Sequence, residues 1–188
     1  DISDPRQPTV TYSLQQNQGE SINSIRWAND ERGMYTTTDT QAGQNEEQLT
    51  GRIYAINYDG KRGRVIMGAG VGVSFFSFGD IIDLMPDDKY RILVRSQPFF
   101  GDRGPIFEIL NIYTGKRSTV ETSPFDAGQL FADSKNRARF ASKQFEEDLS
   151  FVYAYKPDPE GDWVEFENPF DAEVDFISIN DSGTKAVF

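Results

Sequence analysis

The sequence predicts an all-β chain built from repeated four-stranded antiparallel sheets, and three observations carry that prediction. Apolar and polar residues alternate with period two through most of the 188 residues, while helical periodicity is nearly missing. Clusters of Asp, Asn, Gly, Pro and Lys interrupt the alternation at short, regular intervals. The turn aspartates Asp30, Asp87, Asp133 and Asp181 follow one another at spacings of 57, 46 and 48 residues.

The elements follow in order. In the first unit, Ile22, Ser24, Arg26 and Ala28 alternate with Asn23, Ile25 and Trp27, and residues 29–32 turn the chain into Gly33-Met34-Tyr35-Thr36-Thr37-Thr38. A second hairpin joins residues 52–58 to Arg64-Val65-Ile66-Met67 through Asp59-Gly60, the strongest short hairpin signal in the chain. The pattern recurs with residues 80–85 turning into 90–94, and 106–112 turning at Tyr113-Thr114-Gly115-Lys116 into 118–120. A third unit runs from 129–132 into 137–141, then from 149–155 through Pro157-Asp158-Pro159-Glu160-Gly161 into 163–166. A fourth opens at 174–179 and turns at residues 180–183.

Four short strands recurring every 40–50 residues are the sequence signature of a β-propeller blade. The expected organisation is therefore a partial propeller, with residues 1–20 ending a preceding blade, blades at 21–72, 73–125 and 126–172, and a truncated blade at 173–188. Residues 9–14 should form the outermost strand of the preceding blade, and Trp27, Phe131 and Ile179 should face the core between blades. Both ends read as interrupted in mid-blade, so a piece of a longer chain is expected. Uncovered faces and edges should make it marginal or self-associating.

Composition narrows the chemistry. The chain has no histidine and no cysteine, which excludes Ser-His-Asp and Cys-His pairs, Cys/His zinc sites and disulfides. A net charge of -11 opposes binding to nucleic acid, whose phosphates require clustered Lys and Arg. The charge is uneven, net -2 over residues 1–120 and net -9 over 121–188, and reads as a solvated acidic face. No apolar run approaches the roughly 18 residues of a membrane-spanning helix.

Several local patterns invite a site and fall short of one. Ser182-Gly183-Thr184-Lys185 has the Ser-x-x-Lys spacing but lies on a turn rather than at a helix start. Asn180-Asp181-Ser182 matches a glycosylation acceptor and reads as turn chemistry. Gly68-Ala69-Gly70-Val71-Gly72 lacks both nucleotide-binding endings and reads as a connection into Phe75-Phe76-Ser77-Phe78, itself expected in the core or docking a partner domain. The carboxylate pairs Glu46-Glu47, Asp87-Asp88 and Glu146-Glu147-Asp148 read as solvated loops, and residues 158–162 lack the loop of a calcium-binding hand. No catalytic, cofactor-binding or metal-binding residue is assigned.

The phrases Ile22-Asn23-Ser24-Ile25-Arg26-Trp27-Ala28-Asn29-Asp30-Glu31-Arg32 and Gly51-Arg52-Ile53-Tyr54-Ala55-Ile56-Asn57-Tyr58-Asp59-Gly60 resemble the amino-terminal propeller of bacterial serine peptidases of the prolyl oligopeptidase family, a group that includes dipeptidyl and acylaminoacyl peptidases. Met85-Pro86-Asp87-Asp88, Ile112-Tyr113-Thr114-Gly115-Lys116-Arg117 and Phe131-Ala132-Asp133 extend the resemblance. It implies a non-catalytic segment that gates peptide substrate and supports an α/β-hydrolase domain carrying the Ser, Asp and His. That domain is not in this sequence, which holds no Gly-x-Ser-x-Gly elbow. The alternative is a TolB-like or scaffold propeller that binds other proteins. The resemblance leaves periplasm, secretion and cytoplasm open.

Overall fold

The computed structural model describes residues 6–7, 9–15, 19–40, 46–68, 77–98, 103–145, 147, 149–167, 176–180 and 185–187. They form fourteen strands and, among the described residues, no helix. The first sheet holds β1 (Glu20–Trp27), β2 (Arg32–Thr40), β3 (Glu47–Asn57) and β4 (Arg64–Met67), and the second β5 (Ser77–Asp83), β6 (Arg91–Pro98), β7 (Ile106–Asn111) and β8 (Arg117–Thr122). The third holds β9 (Gln129–Ala132), β10 (Ala138–Gln144), β11 (Phe151–Tyr155) and β12 (Val164–Glu167), and a fourth pair comprises β13 (Ser178–Ile179) and β14 (Ala186–Val187). Within each sheet the strands lie in chain order and pair antiparallel.

Side-chain chemistry closes the turns. Asn29 Oδ1 accepts the N–H groups of Glu31 and Arg32, Asp88 Oδ1 those of Tyr90 and Arg91, Asn111 Oδ1 those of Tyr113 and Thr114, and Asp133 Oδ1 those of Lys135 and Arg137. A short side-chain acceptor thus takes up backbone donors that the sheet ladder leaves over, which is why Asx residues recur at these positions. Gly60 and Gly115 supply the left-handed backbone of the β3–β4 and β7–β8 turns, with φ of 79° and 72°.

The sheets share faces in sequence. Met34, Ile53, Ala55 and Met67 of the first sheet pack with Ile81, Ile92, Val94 and Leu110 of the second. The opposite face of the second sheet, with Leu93 and Phe107, packs with Leu130, Ala138, Ala141 and Ala154 of the third. Ile92-Leu93-Val94 is therefore a continuous apolar run, because both faces of β6 are covered and alternate residues enter different cores. Beyond the third sheet, Phe176 stacks on Phe140 at 4.8 Å and leans on Phe131 at 5.2 Å.

Two expectations need correction. Trp27 is 60% exposed: it pairs with Gly33, which pairs with Ile56, and these share the face of the first sheet turned away from the second. Alternation distinguishes two faces but does not say which is covered. Residues 9–14 form no strand; Thr11 Oγ1 donates to the Tyr58 carbonyl and Tyr12 lies over Gly60, so side chains rather than a backbone ladder hold this segment. Phe131 is partly buried against Phe140 and Phe176 as expected of a core side, and Ile179, also partly buried, pairs with Ala186.

Candidate binding groove

β1 and β5 are end strands of their sheets, so their outer edges carry backbone donors and acceptors without a ladder partner in the sheet. β5 packs against β3 of the first sheet because two glycines let the sheets approach. A Cβ at Gly51, whose φ is 65°, would sit 2.2 Å from Phe78 Cδ1, and one at Gly79 would sit 3.0 Å from both Met67 Cγ and Sδ. Between the first sheet and the β5–β6 side of the second runs a groove of about 280 Å³ lined by Asn23, Ser24, Arg26, Phe78, Asp80 and Gln97, among others.

The groove floor is apolar and its rim polar. Phe78, Leu49 and Ile81 contribute carbon surface, while Asn23 Nδ2 donates to Thr36 Oγ1 at 3.2 Å and the Ser24 and Thr36 hydroxyls lie 2.8 Å apart. Arg95 Nη2 donates to Asp80 Oδ2 at 3.1 Å and its Nη1 to Gln129 Oε1 at 2.9 Å, tying the end strands of the second and third sheets together. Arg26 shares a face with Met34, is exposed, and makes no hydrogen bond or ion pair with a described residue. The arrangement offers a charged donor, amide and hydroxyl groups and an open strand edge. It suits an extended peptide laid along β1. Among the described residues the side-chain partner of Ser24 is the Thr36 hydroxyl, not a base.

The patterns singled out in the sequence are scattered away from the groove. Glu47 Oε2 accepts from Thr38 Oγ1 at 2.8 Å at the start of β3. Asp88 caps its turn and accepts from Arg91 Nε at 2.6 Å; the Tyr90 N–H, then Arg91, hold its carboxyl below the usual range. Asp158 Oδ1 accepts from the Glu160 N–H and the Asp158 carbonyl from Gly161, a turn closed on itself. Among the described residues no cluster of three or more His, Cys, Asp or Glu could hold a metal ion. Lys185 and Asn180 exchange turn hydrogen bonds. Ser182, Asp181, Gly183, Thr184, Glu146, Asp148, residues 69–72, Phe75 and Phe76 lie outside the described residues.

Three buried cations escaped the sequence reading. Arg32 is 1% exposed, Arg139 2% and Lys156 6%. Arg139 Nε donates to the Lys156 carbonyl at 2.8 Å, and Lys156 Nζ reaches Glu121 of β8, clasping the third sheet to the second. A signal existed: Arg32 and Arg91 each open the second strand of a sheet opposite an Asn that ends the third. Arg139 stands one position earlier in register, its carbonyl accepting from the Lys156 N–H as those of Glu31 and Tyr90 accept from the N–H groups of Tyr58 and Ile112.

No family model, curated protein or solved structure matches the chain. No helix among the described residues is long and apolar enough to cross a membrane.

Proposed function

We propose that the chain is a non-catalytic β-propeller segment that receives peptide along its inner strands, and that it serves a serine peptidase of the prolyl oligopeptidase family. The carrying observation is that three consecutive four-stranded meanders share faces in chain order, with residues of the first strands β1 and β5 lining one groove. In a propeller these first strands are the innermost, and stacking covers each blade while leaving only short edges. The phrases around residues 22–32 and 51–60 support the peptidase assignment, in which an α/β-hydrolase domain elsewhere in the polypeptide performs the chemistry. A TolB-like or scaffold propeller that binds proteins is the competing reading.

Two observations separate the readings. Past Phe188, the coding sequence of a peptidase encodes a Gly-x-Ser-x-Gly elbow followed by Asp and His, whereas that of a binding module stops early. The purified 188-residue chain is expected to release no p-nitroaniline from aminoacyl or dipeptidyl substrates above the buffer rate. Turnover that a single substitution within the chain abolishes would overturn the non-catalytic role.

A further inference from the structure

At the turn end of the first two sheets, the β1–β2 and β3–β4 turns face the β5–β6 and β7–β8 turns across a cleft of about 630 Å³. Arg32 lies beneath it. Its Nε donates to the Ile112 carbonyl at 2.8 Å, Nη1 to Asn57 Oδ1 at 2.6 Å and Nη2 to the Arg62 carbonyl at 3.2 Å, with the guanidinium 4.9 Å from the Tyr113 ring centroid. Every one of these partners is neutral. A buried cation is normally matched by a carboxylate, because removing a charge from water costs several kcal/mol unless it is paired.

The third sheet shows the matched version. There Arg139, buried like Arg32, has Asp133 Oδ2 at 3.5 Å. In the β1–β2 turn Asn29 accepts from following N–H groups, as Asp133 does in the β9–β10 turn, but it carries no charge. Asn29 Nδ2 instead donates across the cleft to the Lys89 carbonyl at 2.7 Å and Tyr113 Oη at 3.1 Å. The first turn of the first sheet thus has a side-chain acceptor without a counter-charge.

More positive charge gathers around the same spot. Arg64 Nη2 donates to the Tyr113 carbonyl, and the exposed side chains of Arg62 and Lys89 line the cleft without a hydrogen bond or ion pair to a described residue. Arg62 is also held at a φ of 55°, a left-handed conformation that a non-glycine residue seldom adopts outside constrained sites. Burial pulls the Arg32 guanidinium below its ordinary value; Tyr113 opposes the pull, and Arg64 and Arg62 add to it. The cleft lining thus holds two cations, Arg62 and Lys89, and two carboxylates, Asp30 and Glu31, with the Arg32 and Arg64 guanidiniums adding positive charge behind it.

We propose that this cleft binds an oxyanion, a phosphate or a carboxylate, held by Arg62 and Lys89 above the uncompensated Arg32. A guanidinium and an ammonium lining one cleft from two sheets suit such a ligand, and the Tyr90 and Tyr113 rings, 5.9 Å apart, flank it. This site is separate from the peptide groove and does not depend on the peptidase assignment.

The test titrates the intact chain with inorganic phosphate and, separately, with glutarate, at constant ionic strength and with chloride as reference, following the amide resonances of Tyr90 and Thr114. Saturable shifts beyond those in chloride are expected. The double variant Arg62→Gln/Lys89→Gln should weaken binding at least tenfold, while Arg103→Gln/Lys185→Gln, removing the same charge outside the cleft, should stay within twofold. Response to phosphate alone assigns a phosphate group, to glutarate alone a carboxylate ligand, and either supports the site. Shifts no larger than in chloride, undiminished binding by the cleft variant, or equal weakening by both variants would overturn it.

Discussion

Replacing Asp133 with asparagine is expected to destabilise the fold by about 3–5 kcal/mol, the usual cost of stranding one partner of a buried charge pair. The Asp133 side chain is 3% exposed and collects the Lys135 and Arg137 N–H groups on Oδ1 and the Arg137 guanidinium on Oδ2, at distances of 2.6 to 3.0 Å. Arg139, 2% exposed, lies next to it. Asparagine retains an oxygen for the turn but sets an NH2 donor where Oδ2 accepts from Arg137, so the loss reads the charge together with those hydrogen bonds. Burial pushes the Asp133 carboxyl up, but hydrogen bonds from the Arg137 side chain and from the Arg137 and Lys135 backbone outweigh it and hold the carboxyl below the usual range. Its folded value is therefore below its unfolded one. The stabilisation is complete above the ordinary carboxylate pKa of about 4 and disappears as pH falls through the depressed value. Urea unfolding at pH 7 should separate parent from variant by the full amount, and the gap should narrow towards pH 3.

Phe107→Ala is expected to cost a similar 3–5 kcal/mol. Phe107 is fully buried between the second and third sheets, and the surface it meets in the third is largely alanine, with Ala138, Ala141 and Ala154. Alanines on a paired strand have no longer rotamer to offer, so the cavity stays open. The urea midpoint should fall while the slope stays constant. Val164→Ala, at a position 42% exposed, should change stability by less than about 1 kcal/mol.

Strands and turns were legible because both are local. Alternation in residues 22–28 and 33–38, and Asp59-Gly60 between two apolar runs, specify hairpins without reference to anything distant, and the four-stranded antiparallel sheets contain them. Strand ends were less legible. β5 ends at Asp83 and β11 begins at Phe151 because Met85 and Leu149 adopt positive φ, 49° and 59°, which residue type does not announce. Trp27 was misplaced because the covering of a face is a tertiary fact. The groove and the cleft were illegible for the same reason: Arg26 and Asp80 are 54 residues apart, as Arg32 and Ile112 are 80 apart, and only the face sharing of successive sheets brings each pair together. That one turn has Asn29 and another Asp133 was visible as letters, but its meaning required knowing that an arginine is buried near each.

The central claim is that the sheets fan out as blades around one axis with β1, β5 and β9 innermost. The chain has no cysteine, so pairs of introduced cysteines carry spin labels without background. Distances should be measured between Ser21→Cys and Gln129→Cys on the first strands of the first and third sheets, and between Arg64→Cys and Glu165→Cys on their last strands. A propeller requires the inner pair to be distinctly closer than the outer pair. Equal separations of about 20 Å, the spacing of a parallel stack with sheets some 10 Å apart, would contradict it.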